Sequence, residues 1–185
     1  MKLAGSQQIK GNNYLGQGLK IARFLLALLA GVVMLMGVIM AQEAAAGPLI
    51  ISRVSTSSAG VEATGGGSLD MAVSADGRYV VFESDATNLV PGDTNTVRDI
   101  FVKDTQTGTT TRVSTTSASA PADGSSFDPA ISADGRYVAF ESDATNLVPG
   151  DTNAFSDVFV KDTQTGATTR VSTTSAGAEA NGGSF

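Results

Sequence analysis

SADGRYVVFESDATNLVPGDTN, residues 74–95, returns as SADGRYVAFESDATNLVPGDTN at residues 132–153, and the two stretches differ only where Val81 is replaced by Ala139. Equivalent positions in them are separated by a constant 58 residues (132 less 74). Repeats with a period of tens of residues are typical of folds in which each unit buries its apolar face against its neighbour. The chain is therefore predicted to be a repeat protein.

The repetition extends to both sides of this stretch. Residues 53–111 form one repeat, residues 112–169 a second, and residues 170–185 begin a third. Residues 49–56, LIISRVST, resemble the fourth strand of a preceding repeat whose first three strands are missing. We therefore expect residues 47–185 to be one incomplete repeat domain with two complete units.

Each repeat contains four short segments of strand-forming composition, separated by turn residues. In the first repeat the predicted strands are residues 70–74, 78–84, 99–104 and 109–114. The pair Asp76-Gly77 predicts a two-residue type I′ turn, which requires a positive φ at both positions. Gly108 lies where a bulged hairpin between the third and fourth strands needs a left-handed residue.

Four antiparallel strands per period, with a polar crossover to the next period, are the layout of a β-propeller blade. The predicted fold is all-β, a partial β-propeller of about two complete blades. A β-sandwich of duplicated hairpins and a stacked β-solenoid are the alternatives. Radial repetition is preferred because nearly identical four-stranded sheets pack face to face most simply in that way.

Three motifs carry a resemblance to a known family. SADGRYVAFES, followed by NLVPGDTN and by D-[IV]-FVKD-x-x-TG, resembles the WD-like propeller repeat of bacterial envelope proteins, the TolB-like group. The resemblance covers residues 52–185. It implies a propeller that acts as a binding platform in the periplasm or outside the cell. Some members of the group carry a hydrolase or lyase domain or activity.

Two complete units are too few to close a ring of blades. Strand edges and at least one sheet face would stay exposed, and such edges invite pairing with another chain. Either the chain is a truncated product of a longer reading frame, or several chains associate through their open blade edges. We expect truncation, because a natural repeat domain ends in a capping unit.

The N-terminal region has the composition of an export signal. Four basic residues precede an uncharged apolar run at residues 24–41, and Ala44-Ala45-Ala46 follows as a cleavage site of small residues. Residues 1–46 are predicted to be a cleaved signal peptide or an uncleaved signal anchor, because the run of 18 residues approaches a membrane span. A buried helix of a soluble domain is the third alternative.

Either export alternative places the repeats outside the cytoplasm, because the positive charges hold the N-terminus inside. Membrane contact is expected only through residues 24–41, and only if the signal stays uncleaved. Taken together, the two export alternatives place the repeats in the periplasm, in the medium or on the outer side of the membrane as an anchored domain.

Charge and composition exclude several functions. The chain has a net charge of −6, and after residue 46 eight basic residues face seventeen acidic ones, a net charge of −9. Phosphate binding depends on clustered lysine and arginine, so we expect no nucleic-acid partner. The chain contains no cysteine and no histidine, which excludes disulfides, thiolate metal sites and Ser-His-Asp or Cys-His catalysis within it.

Oxygen-bearing side chains recur at a spacing that suits a cation. The pattern of an acid, an amide two residues later and a second acid four residues after that occurs twice, at Asp93, Asn95 and Asp99 and at Asp151, Asn153 and Asp157. Calcium loops use oxygen ligands at alternate positions. The acid at the fifth position and the glutamate at the twelfth are missing, so side-chain to backbone turn bonds explain the pattern as well. A calcium site is the one cofactor hypothesis that the sequence offers.

Paired carboxylates end the second predicted strand of each repeat, Glu83 with Asp85 and Glu141 with Asp143. Side chains two apart on a strand lie on one face, and such a pair supports acid-base chemistry when the two pKa values differ. Recurrence in both units favours a structural role, because a catalytic site usually occurs once per fold. No catalytic residue is assigned. The arginines expected to bind these carboxylates are Arg78, Arg112, Arg136 and Arg170.

These observations favour an exported, non-enzymatic binding or scaffold module of the cell envelope, with a protein or another envelope component as its partner. One alternative is the propeller part of an extracytoplasmic hydrolase or lyase whose catalytic residues lie beyond residue 185. Another is a calcium-stabilised surface or adhesion repeat protein.

Overall fold

A computed structural model describes residues 51–185 of the chain. Residues 52–185 form one compact unit. The predicted export segment and the apolar run at residues 24–41 lie outside the described residues. Within residues 51–185, no helix is long and apolar enough to cross a membrane.

The described residues contain eight strands and no helix. In the first repeat they are β1 (Ser68–Val73), β2 (Tyr79–Ser84), β3 (Asp99–Asp104) and β4 (Thr110–Arg112). In the second they are β5 (Ser126–Ile131), β6 (Tyr137–Ser142), β7 (Asp157–Asp162) and β8 (Thr168–Arg170). The first strand begins two residues earlier than the sequence predicts, and the fourth is shorter at both ends.

Each repeat folds into a separate four-stranded antiparallel meander, with strand order β1-β2-β3-β4 and β5-β6-β7-β8. The central register is the same in both sheets. Phe82 pairs with Phe101 and Phe140 with Phe159, and the ring centroids lie 5.9 and 6.0 Å apart. The all-β prediction of about two propeller blades is confirmed: the chain forms two blades of a partial β-propeller.

The two sheets pack against each other with opposite faces. Val81, Ile100 and Val102 of the first sheet lie in one buried cluster with Val138, Phe140 and Phe159 of the second. Burying apolar side chains of this size contributes about 1.5–3 kcal/mol each, so this junction is the main source of stability between the repeats.

The β1–β2 turn differs from the sequence prediction. Gly77 has a φ of 73°, but Asp76 does not have a positive φ, so the type I′ prediction is wrong. The Asp76 carboxylate accepts hydrogen bonds from the Ser74 hydroxyl and the Arg78 amide, and the Tyr79 amide donates to the Ser74 oxygen. These side-chain bonds stabilise a longer loop. Gly108, with a φ of 76°, is left-handed as predicted.

Candidate functional site

A buried lysine fastens each crossover to the following sheet. The Lys161 ammonium donates to the Thr115 carbonyl and hydroxyl, the Thr116 carbonyl and the Thr168 hydroxyl, over 2.9–3.2 Å. Lys103 makes the same four contacts in the first repeat. Burial lowers the pKa of both lysines. The sequence analysis missed these residues, although Lys recurs in both copies of the FVKD motif.

The residues of the calcium hypothesis surround a guanidinium in the first repeat. Arg112 Nη1 donates to Asp93 Oδ1 at 2.9 Å and to Asp99 Oδ2 at 3.0 Å. Asn95 Nδ2 donates to the same Asp99 oxygen and to the Ala122 carbonyl, and the Ser114 hydroxyl donates to the other Asp99 oxygen. Burial, followed by the neighbouring Asp99, raises the pKa of Asp93, and Arg112 opposes that change.

The second repeat builds the same cluster with one additional acid. Arg170 Nη1 lies 3.3 Å from Asp151, 3.1 Å from Asp157 and 2.9 Å from Glu179. Asn153 donates to the Ala180 carbonyl at 2.9 Å, as Asn95 does to Ala122. Hydrogen bonds from Thr152, and then the contact with Arg170, lower the pKa of Glu179 to about 2.

In both clusters an arginine therefore supplies positive charge between the acids that were expected to bind a cation. Among residues 51–185, no three carboxylate, imidazole or thiol groups lie together as metal ligands would. The calcium hypothesis stays a prediction, which now has to account for Arg112 and Arg170.

The carboxylate pair of the first repeat is bridged by an arginine that the sequence analysis did not single out. Arg98 donates to Glu83 at 2.7 Å and to both Asp85 oxygens at 2.9 and 3.0 Å. Glu83 is only 2% exposed, and its second oxygen accepts the Asp128 amide of the next sheet. Burial raises the pKa of Glu83, whereas Arg98 lowers that of Asp85. Glu83 thus joins the two repeats.

The second repeat lacks this bridge because Ser156 occupies the position of Arg98. Glu141 and Asp143 form no ion pair with any of the described residues. Burial, and then the nearby Asp128 and Asp143, raises the pKa of Glu141. This difference could have been found by comparing the two copies position by position.

The arginines predicted to bind the carboxylate pairs have other partners. Arg78 binds Asp104 at 2.7 Å and Arg136 binds Asp162 at 2.8 Å, both across the ends of neighbouring strands. Arg112 and Arg170 belong to the acidic clusters described above. The predicted pairing was wrong: Arg78 and Arg136 precede the second strand of each repeat, whereas the carboxylate pairs lie at its other end.

A groove of about 780 Å³ runs between the two repeats. Threonine hydroxyls line its first-repeat side together with Val90, Val102 and Val113, and mostly polar side chains line the other side. Its lining includes Tyr79, Thr107, Thr109, Thr111, Arg136 and Gln164. The volume lies within the range of ligand pockets, and the lining offers several hydrogen-bond donors and acceptors.

No protein-family profile and no curated protein match the chain. Among solved structures, the chain is similar to TolB from Acinetobacter baumannii, with 19% sequence identity and a TM-score of 0.37. The alignment covers 57% of this chain and 21% of that one. The chain thus spans about a fifth of the length of the solved structure that it matches.

Proposed function

We propose that this chain is a non-enzymatic binding module of the bacterial cell envelope, exported by residues 1–46, that holds an extended polar partner in the groove between its repeats. The observation that carries the proposal is the groove itself, whose threonine hydroxyls, arginine and glutamine suit a polypeptide or another hydrogen-bonding polymer.

The engagement of the charged side chains supports a binding role. Arg98 forms ion pairs with Glu83 and Asp85, and Arg112 and Arg170 form ion pairs with the acids of the two clusters. An acid-base pair needs two groups with separated pKa values that reach a substrate. The acids of the Arg112 and Arg170 clusters instead bind an arginine in both repeats, as structural ion pairs do, whereas Glu141 and Asp143 have no such partner among the described residues.

Photo-crosslinking in the native host tests this function. A photoreactive phenylalanine analogue replaces Thr109 in the groove, and the matched control carries it at Thr94, an exposed threonine of the β2–β3 loop outside the groove. We expect an envelope adduct that forms from position 109 and not from position 94. Equal adducts from both positions, or adducts only in the cytoplasmic fraction, would contradict the proposal.

A further inference from the structure

Within residues 51–185, two different faces of the repeats are left uncovered by the other described residues. The leading face belongs to β1 and the turn after it and consists of Leu69, Asp70, Met71, Val73, Ala75 and Gly77. The trailing face belongs to the second sheet and consists of Ala133, Tyr137, Ala139, Glu141, Val158, Val160 and Val171. Leu69, Met71 and Val73 are 50%, 73% and 58% exposed, and Val171 is 49% exposed. Val113, the equivalent of Val171 in the first repeat, is only 3% exposed because the second sheet covers it.

The junction between the repeats shows what covers each face. Tyr79 lies on the backbone of Gly135, where a Cβ atom would overlap its ring. The Ala75 amide donates to the Ala133 carbonyl at 3.0 Å. The Glu83 carboxylate accepts the Asp128 amide at 3.2 Å. Each contact joins a residue of one repeat to a residue of the next.

For each of these contacts, the equivalents of the two partner residues lie on the uncovered faces, one on the trailing face and one on the leading face. Tyr137, the equivalent of Tyr79, is 42% exposed on the trailing face. Gly77, the equivalent of Gly135, has open space around the position of a Cβ atom. Glu141 corresponds to Glu83, and the Asp70 amide corresponds to that of Asp128. Asp70 also has the positive φ of that bulge residue, at 25° against 49°.

We propose that the trailing face of one chain binds the leading face of a second copy of the same chain. The occupant is a second copy because the two repeats share the residues of these contacts, so that the contact between copies is built like the junction which the chain already makes internally. The interface joins two different surfaces and is heterologous, so association continues beyond two chains into rings or filaments.

The docking includes an exchange of crossover segments. Residues 170–180, RVSTTSAGAEA, differ from residues 53–63, RVSTSSAGVEA, at two positions. Both segments have the same local conformation, with the bridges Thr173 to Glu179 and Thr56 to Glu62. In a second copy, residues 170–180 of the first chain replace residues 53–63 on Lys103.

The anchoring of the two segments favours this exchange. The Arg53 side chain is 57% exposed and binds only Glu62 among the described residues. The Arg170 side chain is 10% exposed and contacts three acids. In the exchange, residues 53–63 give up their contacts with Lys103, and a segment anchored at Arg170 supplies the equivalent oxygen acceptors.

The contact between copies differs from the internal junction at several apolar positions, such as Ala139 in place of Val81, and at the charge of Arg98. Ser156 replaces Arg98, so Glu141 approaches the second copy's Asp70 without the guanidinium that neutralises Glu83. Asp128 and Asp143 are the other acids that act on Glu141. The contact between copies is therefore weaker than the junction within a chain, and Ser156→Arg should strengthen it.

Mixing two variants of the full chain tests the proposal. Gly77→Ala blocks the leading face, because the added methyl group overlaps the incoming Tyr137. Tyr137→Ala with Val171→Asp blocks the trailing face at two exposed positions. Gly92→Ala is the matched control for backbone strain, since Gly92 has a φ of 74° and open space at its Cβ position. Masses are measured by sedimentation over a concentration series in one buffer, and circular dichroism verifies that each variant is folded.

Wild-type chain and Gly92→Ala should form oligomers larger than two chains. Each blocked variant alone should be monomeric, with an association constant lowered roughly ten- to hundredfold by overpacking or loss of contact. The mixture of the two should form a species of two chains and stop there, because only one intact pair of faces remains. Association that survives in the single variants, or a mixture without a two-chain species, would overturn the proposal.

Discussion

Replacing Lys161 with methionine tests how the crossover is held. Methionine keeps the apolar stem and removes the ammonium, which donates to four oxygens. After the change, the Thr115 carbonyl still accepts the Thr168 hydroxyl and the Thr116 carbonyl still accepts the Ser119 amide. The Thr115 hydroxyl alone loses its partner. The stability lost in Lys161→Met is therefore mainly that of the charge-assisted hydrogen bonds donated by the ammonium.

Two opposing free-energy contributions, the hydrogen bonds of the ammonium and its desolvation, determine how much stability Lys161→Met loses. Hydrogen bonds to a charged group contribute about 1.5–3 kcal/mol each, so the three protons of the ammonium supply roughly 5 kcal/mol. Removing a buried charge returns its desolvation cost, here taken as about 3 kcal/mol. We expect Lys161→Met to lower the free energy of unfolding by about 2 kcal/mol, which corresponds to a fall in Tm of roughly 8 °C for a unit of this size.

Urea unfolding followed by circular dichroism measures this change. The pH dependence provides a second readout. Because burial lowers the folded-state pKa of Lys161, the unfolded chain binds more protons below the ordinary value of 10.5, and wild-type stability rises as the pH approaches that value. The variant retains only Lys103 of the two lysines, so its rise should be shallower.

The chain contains a matched control for this prediction. Thr115→Val removes a hydroxyl that accepts from Lys161, and Thr173→Val makes the same change in the third crossover, where no lysine among the described residues contacts it. We expect a loss of about 1 kcal/mol for the first and less than about 0.5 kcal/mol for the second. A Lys161→Met variant as stable as the wild type would refute the reasoning, because desolvation would then outweigh the bonds.

Three further predictions concern the turn, the acid range and calcium. Gly77→Ala should lower the free energy of unfolding by about 1–2 kcal/mol, because alanine is strained in the left-handed conformation. Gly135→Ala should lower it by at least about 1 kcal/mol more, because its methyl group also meets the Tyr79 ring. Equal losses in thermal unfolding would contradict that contact. Arg136 holds the pKa of Asp162 well below its usual 3.8, so stability is present above that value and falls as the pH drops below it. Arg136→Met should flatten this fall between about pH 4 and pH 2 in acid titrations, and an unchanged slope would count against the pair. Arg112 and Arg170 already lie between the acids, so we expect a calcium chelator to leave the unfolding midpoint unchanged. A midpoint that rises with added Ca²⁺ would instead support the calcium hypothesis.

The sequence allowed the architecture to be predicted because its signals are local and occur twice. Strand-forming composition and turn residues predicted four strands per repeat, and the third strand, Asp99–Asp104, begins and ends as expected. The turn at Asp76-Gly77 was predicted in the right place but with the wrong type, because its geometry depends on the Ser74 hydroxyl and not on backbone preference alone. The groove between the repeats could not be predicted, since its lining comes from residues far apart in the chain.

The few differences between the two copies are the most informative positions for function. Residues that the repeats share build a blade, as Lys103 and Lys161 show by making the same contacts. Arg98 and Ser156 differ, and the difference falls where one repeat meets the next. Arg98 therefore bridges the junction that forms within the chain, whereas Ser156 leaves Glu141 without that bridge on the face that we propose binds a second copy. Exchanging the two residues, by Arg98→Ser together with Ser156→Arg, should weaken the internal junction and strengthen the external contact, so unfolding free energy and oligomer mass should change in opposite directions. If both changed in the same direction, position 98 would govern general stability and not the choice of partner.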